Sequence, residues 1–222
     1  MTRKKDCLDD LRHRILTQDI APGSDLDEAA LADHYQISRT PLREVFQRLA
    51  GSGYLTLAEN RGAKVASMDL ATMRTFFQTA PLIYSSIARL AAENRTGAQL
   101  EALKSAQTDF AAAVAASDAE AMALNNHLFH EIIGEMAHND YLMASLRRLL
   151  IDHTRLGQMF YRPSAPAENV AVLKASQQHD GMIAAIEARE TGVITELTLQ
   201  HWDLSRDRLE RFVRPDPLPL DV

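Results

Sequence analysis

Ser38-Arg39-Thr40-Pro41-Leu42-Arg43-Glu44-Val45-Phe46-Gln47-Arg48-Leu49 is the stretch whose reading decides the fold. Ser38 is a natural N-cap, and Pro41 falls in the first helical turn, where a missing N–H costs nothing. The stretch therefore predicts a helix from Arg39 to Ala50, ended by Gly51 and Gly53. Leu42, Val45, Phe46 and Leu49 recur at helical spacing and make one inward stripe, while Arg39 and Arg43 stand four apart on another face. A helix anchored by its C-terminal half, with long donors on its N-terminal half, has the form that enters a DNA major groove. Taken singly, each arginine reads equally well as a solvated charge on a surface helix. The neighbouring segments decide between the two.

Upstream, Leu8, Leu11, Ile15 and Leu16 mark a helix that stops at Ile20-Ala21-Pro22-Gly23. Asp27 caps a second, short helix with Ala30, Leu31 and Tyr35 on its buried side, and Gln36-Ile37 form a corner before Ser38. Downstream the period changes. Tyr54-Leu55-Thr56-Leu57 and Ala63-Lys64-Val65-Ala66 are β-prone runs around Glu59-Asn60-Arg61-Gly62, a hairpin with a basic tip. Three helices followed by a hairpin make a winged helix-turn-helix over residues 1–68. From Asp69 the pattern is helical to the end, with expected capping boxes at Thr96-Gly97-Ala98-Gln99 and Ser117-Asp118-Ala119-Glu120. Asn139 offers another start, Arg162-Pro163-Ser164-Ala165-Pro166 is a breaker, and the last helix runs from Thr191 to Val213. The fold class expected is mainly α. A winged helix is joined near Ser67 to an all-helical bundle of about six helices over 69–213, followed by a disordered tail, 214–222.

Composition agrees with a globular chain: 46% of the 222 residues are hydrophobic and 24% charged. Cys7 is the one cysteine, which excludes an intramolecular disulfide framework and fits a reducing compartment. The polar Cys7-Leu8-Asp9-Asp10-Leu11 segment excludes a signal-peptide core at the start, and no apolar run reaches the ~18 residues of a membrane span, so a cytoplasmic location is expected. A net charge of −6 is unpromising for a nucleic-acid partner until it is partitioned. Residues 1–68 are neutral overall, and from Gln36 to Ala66 five cations face two carboxylates. The positive field is local and the acidic excess lies in the bundle.

Pro22-Gly23, Leu26, Glu28, Leu31-Ala32, Ile37 to Glu44, Arg48-Leu49 and Arg61-Gly62-Ala63 together resemble the signature of the GntR family of regulators, over residues 8–66. The resemblance implies that Arg39, Thr40 and Arg43 contact an operator and that Gly62 of the wing lies close to DNA. From their chemistry, Ser38 and Thr40 can donate to phosphate, Arg43 can read guanine, and Arg61 and Lys64 sit near the backbone or minor groove.

Among the eight histidines, His13, His34, His127, His138 and His153 read as surface or partly buried residues. Asn126 and His130 lie four apart, about 40° apart around one helix. His179 and His201 sit on two later helices. Spacing alone leaves both a convergent metal site and satisfied core histidines open. The helical half is similar to the FCD domain of the FadR branch of the GntR regulators, and this resemblance implies a divalent metal, most simply zinc with nickel or manganese as alternatives, held by Asn126, His130, His179 and His201. It further implies an organic-acid effector completing the coordination. Two departures stand out: Asn126 replaces the usual Asp, and Ala80 and Tyr84 replace an Arg and a Glu on the first bundle helix, which Pro81 is expected to kink. Arg89, Arg147 and Arg155 are candidate substitutes for that arginine.

The function expected is a DNA-binding transcriptional regulator, a repressor, gripping a pseudo-palindromic operator as a homodimer under control of a small carboxylate effector, with no membrane partner and no catalysis. A metal-dependent hydrolase is the rival class, disfavoured by the lack of His-Glu-x-x-His, of a nucleophile motif and of a general base, since Glu131 directly follows His130. An effector-independent architectural DNA-binding protein is the other alternative.

Overall fold

The computed structural model describes residues 2–58, 62–162 and 166–213, and the side chains of all of these except 2, 58, 166–169 and 205–213. Arg61 and the tail 214–222 therefore lie outside the described residues.

The chain begins with α1 (Thr2–Leu16), β1 (Asp25–Leu26), α2 (Glu28–His34), α3 (Arg39–Gly51), β2 (Leu55–Ala58) and β3 (Gly62–Val65). The strands form an antiparallel sheet in the order β1-β3-β2, with Leu26 opposite Ala63 and Leu55 opposite Val65. The inward stripe of α3 is buried as its spacing requires, and Leu42, Val45, Phe46 and Leu49 pack with Leu11, Ile15, Leu55 and Val65 into one core. Each such side chain contributes about 2 kcal/mol by leaving water. Strand β1 was not legible in the sequence: two residues carry no alternation, and only their pairing with Lys64 and Ala63 defines them. Helix α1 also starts earlier than its apolar residues suggest, because Arg3 donates to the Gln36 carbonyl and Lys4 pairs with Glu44 of α3. On α2, Ala30 is exposed rather than buried, whereas Leu31 and Tyr35 pack partly against the core.

The bundle comprises α4 (Leu70–Asn94), α5 (Gly97–Ala116), α6 (Ala119–Met136), α7 (Asp140–Phe160), α8 (Pro166–Ala188) and α9 (Thr191–Val213). The capping box at Thr96 and Gln99 is present. The second start is shifted by one residue: Ser117 takes the left-handed conformation (φ 55°, ψ 32°) that ends α5, and Asp118 caps α6 by accepting from the Ala121 N–H. Helix α4 continues on both sides of Pro81.

Helix α7 ties the two halves together. Ile151 belongs to the winged core, and Arg155, fully buried, donates through Nη1 to the Ala66 carbonyl at 2.7 Å. Its Nη2 pairs with Asp152, while Gln18 of the winged half donates to the Arg155 carbonyl. The segment that joins the wing to α4 is thus pinned by a buried guanidinium.

Candidate functional site

Two sites follow from this arrangement. The first is the exposed N-terminal half of α3. Ser38 occupies the N-cap in extended conformation (φ −74°, ψ 165°) but makes no capping hydrogen bond with its side chain. Its hydroxyl is left for an outside acceptor. Arg39 and Thr40 are exposed beside it. Arg43 is also exposed, but its fork is held by Glu28 of α2, with Nε at 3.0 Å from Oε1 and Nη2 at 3.1 Å from Oε2. The Glu28 carboxylate keeps the Arg43 guanidinium charged and raises its pKa through this hydrogen bond and its charge. The sequence reading treated Arg43 as an unengaged donor and missed this pair, which joins residues fifteen apart. Between α3 and the sheet runs a groove of about 640 Å³ lined by Arg43, Phe46, Gln47, Leu57 and Gly62. Gly62 has φ +78° with open space where a Cβ would stand, so the backbone conformation is what calls for glycine there. Lys64 lies 3.5 Å from Asp25 across the β1–β3 pair.

The second site is inside the bundle. Helix α6 supplies Asn126 and His130, α8 supplies His179 and α9 supplies His201, all buried. One nitrogen from each of the three histidines lies within 4.8 Å of the others. The surrounding bonds fix which nitrogen is offered. Gln107 Nε2 donates to the Ser176 carbonyl and Asp180 Oδ1, so its Oε1 must accept, at 3.0 Å, from His179 Nδ1–H. His201 Nδ1 makes the matching 2.9 Å bond to Gln178 Oε1. Fixing the proton on Nδ1 in this way is how a second layer of hydrogen bonds prepares Nε2 as a metal ligand. Asn126 Oδ1, His130 Nε2 and His179 Nε2 are buried without a partner. Buried polar atoms left without partners would cost about 1–3 kcal/mol each, and a cation held between the clustered histidine nitrogens would give them one. Burial pushes the pKa of each histidine down, His201 to about 4 and His130 and His179 well below the usual value, with neighbouring imidazoles adding to the effect on the latter two. The rings are neutral at physiological pH, the form that ligates.

A fourth imidazole was misread. His153 of α7, expected at or near the surface, is buried 5.2 Å from the His130 ring. Its Nδ1 is 2.8 Å from the hydroxyl of Tyr84, the residue that departs from the family pattern on α4. The signal was available, since His153 continues the stripe of Leu146 and Leu150 along α7. The proposed substitutes for the family arginine are occupied elsewhere: Arg89 pairs with Glu93, Arg147 with Glu131, and Arg155 clamps Ala66 and Asp152. His13, His34 and His138 are exposed as expected.

A three-helix core with a three-stranded wing, set on a helical bundle, is the architecture of a DNA-binding regulator. Comparison with known proteins gives the family. Residues 4–65 match the model described as bacterial regulatory proteins, gntR family, and residues 77–204 match the FCD domain. The chain belongs to the GntR family of bacterial regulatory proteins and carries an FCD domain, and its function is DNA-binding regulation of transcription, not catalysis. It is 24% identical over 194 residues to the HTH-type transcriptional repressor RspR of Escherichia coli K12, covering 85% of this chain and 83% of that protein. It is 27% identical over 186 residues to the galactonate operon transcriptional repressor of the same organism, covering 72% and 80%. Among solved structures, E. coli McbR/YncC superposes with a TM-score of 0.81 at 20% identity over 96% of this chain and all of that one, which shows a shared fold. No helix among the described residues is long and apolar enough to cross a membrane.

Proposed function

We propose that this protein is a cytoplasmic transcriptional repressor that binds a pseudo-palindromic operator as a homodimer and is controlled by a small carboxylate at a metal-containing pocket in its bundle. Residues 1–68 form the DNA-binding unit in this reading and 69–213 the effector and dimerisation unit. Ser38, Arg39, Thr40 and Arg43 face the major groove, with Arg61, Gly62 and Lys64 of the wing on the backbone or minor groove. One recognition helix reads only a few base pairs, and two-fold symmetry doubles the contacts. The curated relatives named above as repressors support the sign of regulation.

The observation that carries the pocket is the set of orphaned buried acceptors, Asn126 Oδ1, His130 Nε2 and His179 Nε2, beside a His201 whose Nδ1 is already bonded. Three neutral nitrogens and an amide oxygen are a borderline donor set that suits zinc, with nickel or manganese as alternatives. A bound divalent ion supplies a positive point that a carboxylate oxygen can ligate. Asn126 brings no negative charge, so the four ligands leave the full double charge of the ion for an anionic effector to neutralise. Tyr84 and His153 border the pocket with polar groups of their own. Metal analysis of the purified protein and of His179→Ala and His201→Ala tests this reading. The wild type should carry about one ion per chain, and each variant should lose it and melt at lower temperature. Undiminished metal in both variants would identify these residues as core histidines.

A further inference from the structure

The winged half and the bundle enclose a cleft of about 880 Å³, within the range of small-molecule sites. The winged side supplies Arg12 of α1 and the 51–53 turn with Tyr54 after α3; the bundle supplies His127 and Glu131 of α6 and Arg147 and Arg148 of α7. Three guanidinium groups thus share the lining with one carboxylate. The walls leave much of this charge open. Arg147 Nε is 3.5 Å from Glu131 Oε1, yet the side chain is 60% exposed. Arg148 reaches Asp152 with one nitrogen at 3.1 Å and is 44% exposed. Arg12 stands 5.8 Å over the Tyr54 ring, and its Nε is buried with no acceptor.

The geometry around these arginines is fixed from behind. Gly53 has φ +88°, and a Cβ there would meet Arg148 Cδ at 2.4 Å, so the turn after α3 lies directly on that side chain. His127 bonds Thr154 Oγ1 at 2.7 Å, and because that hydroxyl gives its proton to the Leu150 carbonyl, the imidazole is the donor from Nδ1. The cleft sits at the C-terminal end of α3, about 18 Å along the helix from Ser38 and Arg39, so its positive charge is not the DNA-facing charge. It is also separate from the histidine pocket, though both use α6: Asn126 and His130 turn into the pocket, and the next residues in each case, His127 and Glu131, turn into the cleft.

We propose that this interdomain cleft is an anion site for a phosphate-bearing small molecule, whose binding holds the winged half in one position against the bundle. Three guanidinium groups arriving from two helices, one in each half, match a phosphate, which offers three or more acceptor oxygens in different directions, better than a single carboxylate, which one arginine fork satisfies. The occupant would touch both halves at once, so it stabilises only the arrangement in which Arg12 and Arg147 converge.

The probe is inorganic phosphate, titrated calorimetrically into the full-length protein as purified, with melting curves in phosphate and in chloride at equal ionic strength. Wild type should bind and melt at higher temperature in phosphate than in chloride. Arg147→Gln, at a mostly exposed position, and separately Arg12→Gln should bind about tenfold more weakly and lose the added thermal shift. His179→Ala should keep the phosphate response even where its metal is lost, which separates this site from the pocket and lets either reading fail without the other. No phosphate response in wild type would overturn the proposal, as would an unchanged response in both arginine variants. So would loss in His179→Ala with retention in Arg147→Gln, since phosphate would then sit in the histidine pocket.

Discussion

Arg43 illustrates how one side chain serves two equilibria. Bonded to Glu28 through Nε and Nη2, one edge of its guanidinium, it is held along the groove between α3 and the wing, and it must release or share that carboxylate to present this edge to a base. Arg43→Ala should weaken cognate operator binding about tenfold or more while leaving random DNA less affected, whereas Lys64→Ala should weaken both alike and flatten the salt dependence. Glu28→Gln should do the opposite of either: it frees the guanidinium, so binding to random DNA rises and discrimination falls. Operator and random-sequence titrations across salt concentrations distinguish the three outcomes. In the pocket the informative residue is Asn126. Asn126→Asp should raise metal affinity, because an anionic oxygen holds a cation more strongly than an amide, and should weaken an anionic effector for the same reason. Competition with a chelator measures the first and operator release by a carboxylate the second.

At the level of elements, the crossing of α6 over α7 decides where His130 and His153 meet. Gly134 allows it: a Cβ there would come 2.4 Å from Leu146 Cδ2 and 2.8 Å from Met143 sulfur. Gly134→Ala should therefore destabilise the bundle by about 1–3 kcal/mol, although alanine is the better helix former. Gly97, in the first turn of α5, has nothing within 4 Å of its would-be Cβ, and Gly97→Ala should stabilise by about 0.5 kcal/mol. Denaturant melts of the two variants should move in opposite directions. The same contrast explains what could be read beforehand. Helices α3, α5 and α9 announced themselves through caps, breakers and apolar stripes, all local signals. Strand β1 and the glycine at the α6–α7 crossing have meaning only through partners far along the chain.

Across the whole molecule, Arg155 is a buried joint between the bundle and the winged half. Its guanidinium is fully buried, bonds the Ala66 carbonyl at the end of the wing, and sits two residues from His153 on the same helix. Removing it leaves Asp152 short of one partner and the Ala66 carbonyl unpaired, so Arg155→Met should cost about 3–5 kcal/mol or, if the bundle survives, uncouple the halves. Limited proteolysis near Ser67 should then accelerate, and the effector should no longer release the operator, while operator affinity without effector changes little. Preserved coupling in a folded variant would show that α7 is not the route.

The order of the helices, the wing and the exposed face of α3 with Arg39 and Arg43 followed from the sequence, because periodicity, capping and motif spacing are properties of neighbours in the chain. The shape of the pocket did not. That His153 and Tyr84 join it, that Gln107 and Gln178 set its tautomers, that Glu28 holds Arg43 and that Arg155 is a clamp and not an effector contact were all decided by packing. Each of these bonds joins residues from different segments of the chain. Hydrogen bonds and buried charges select partners by distance in space, and sequence separation carries almost no information about that distance once the chain has folded.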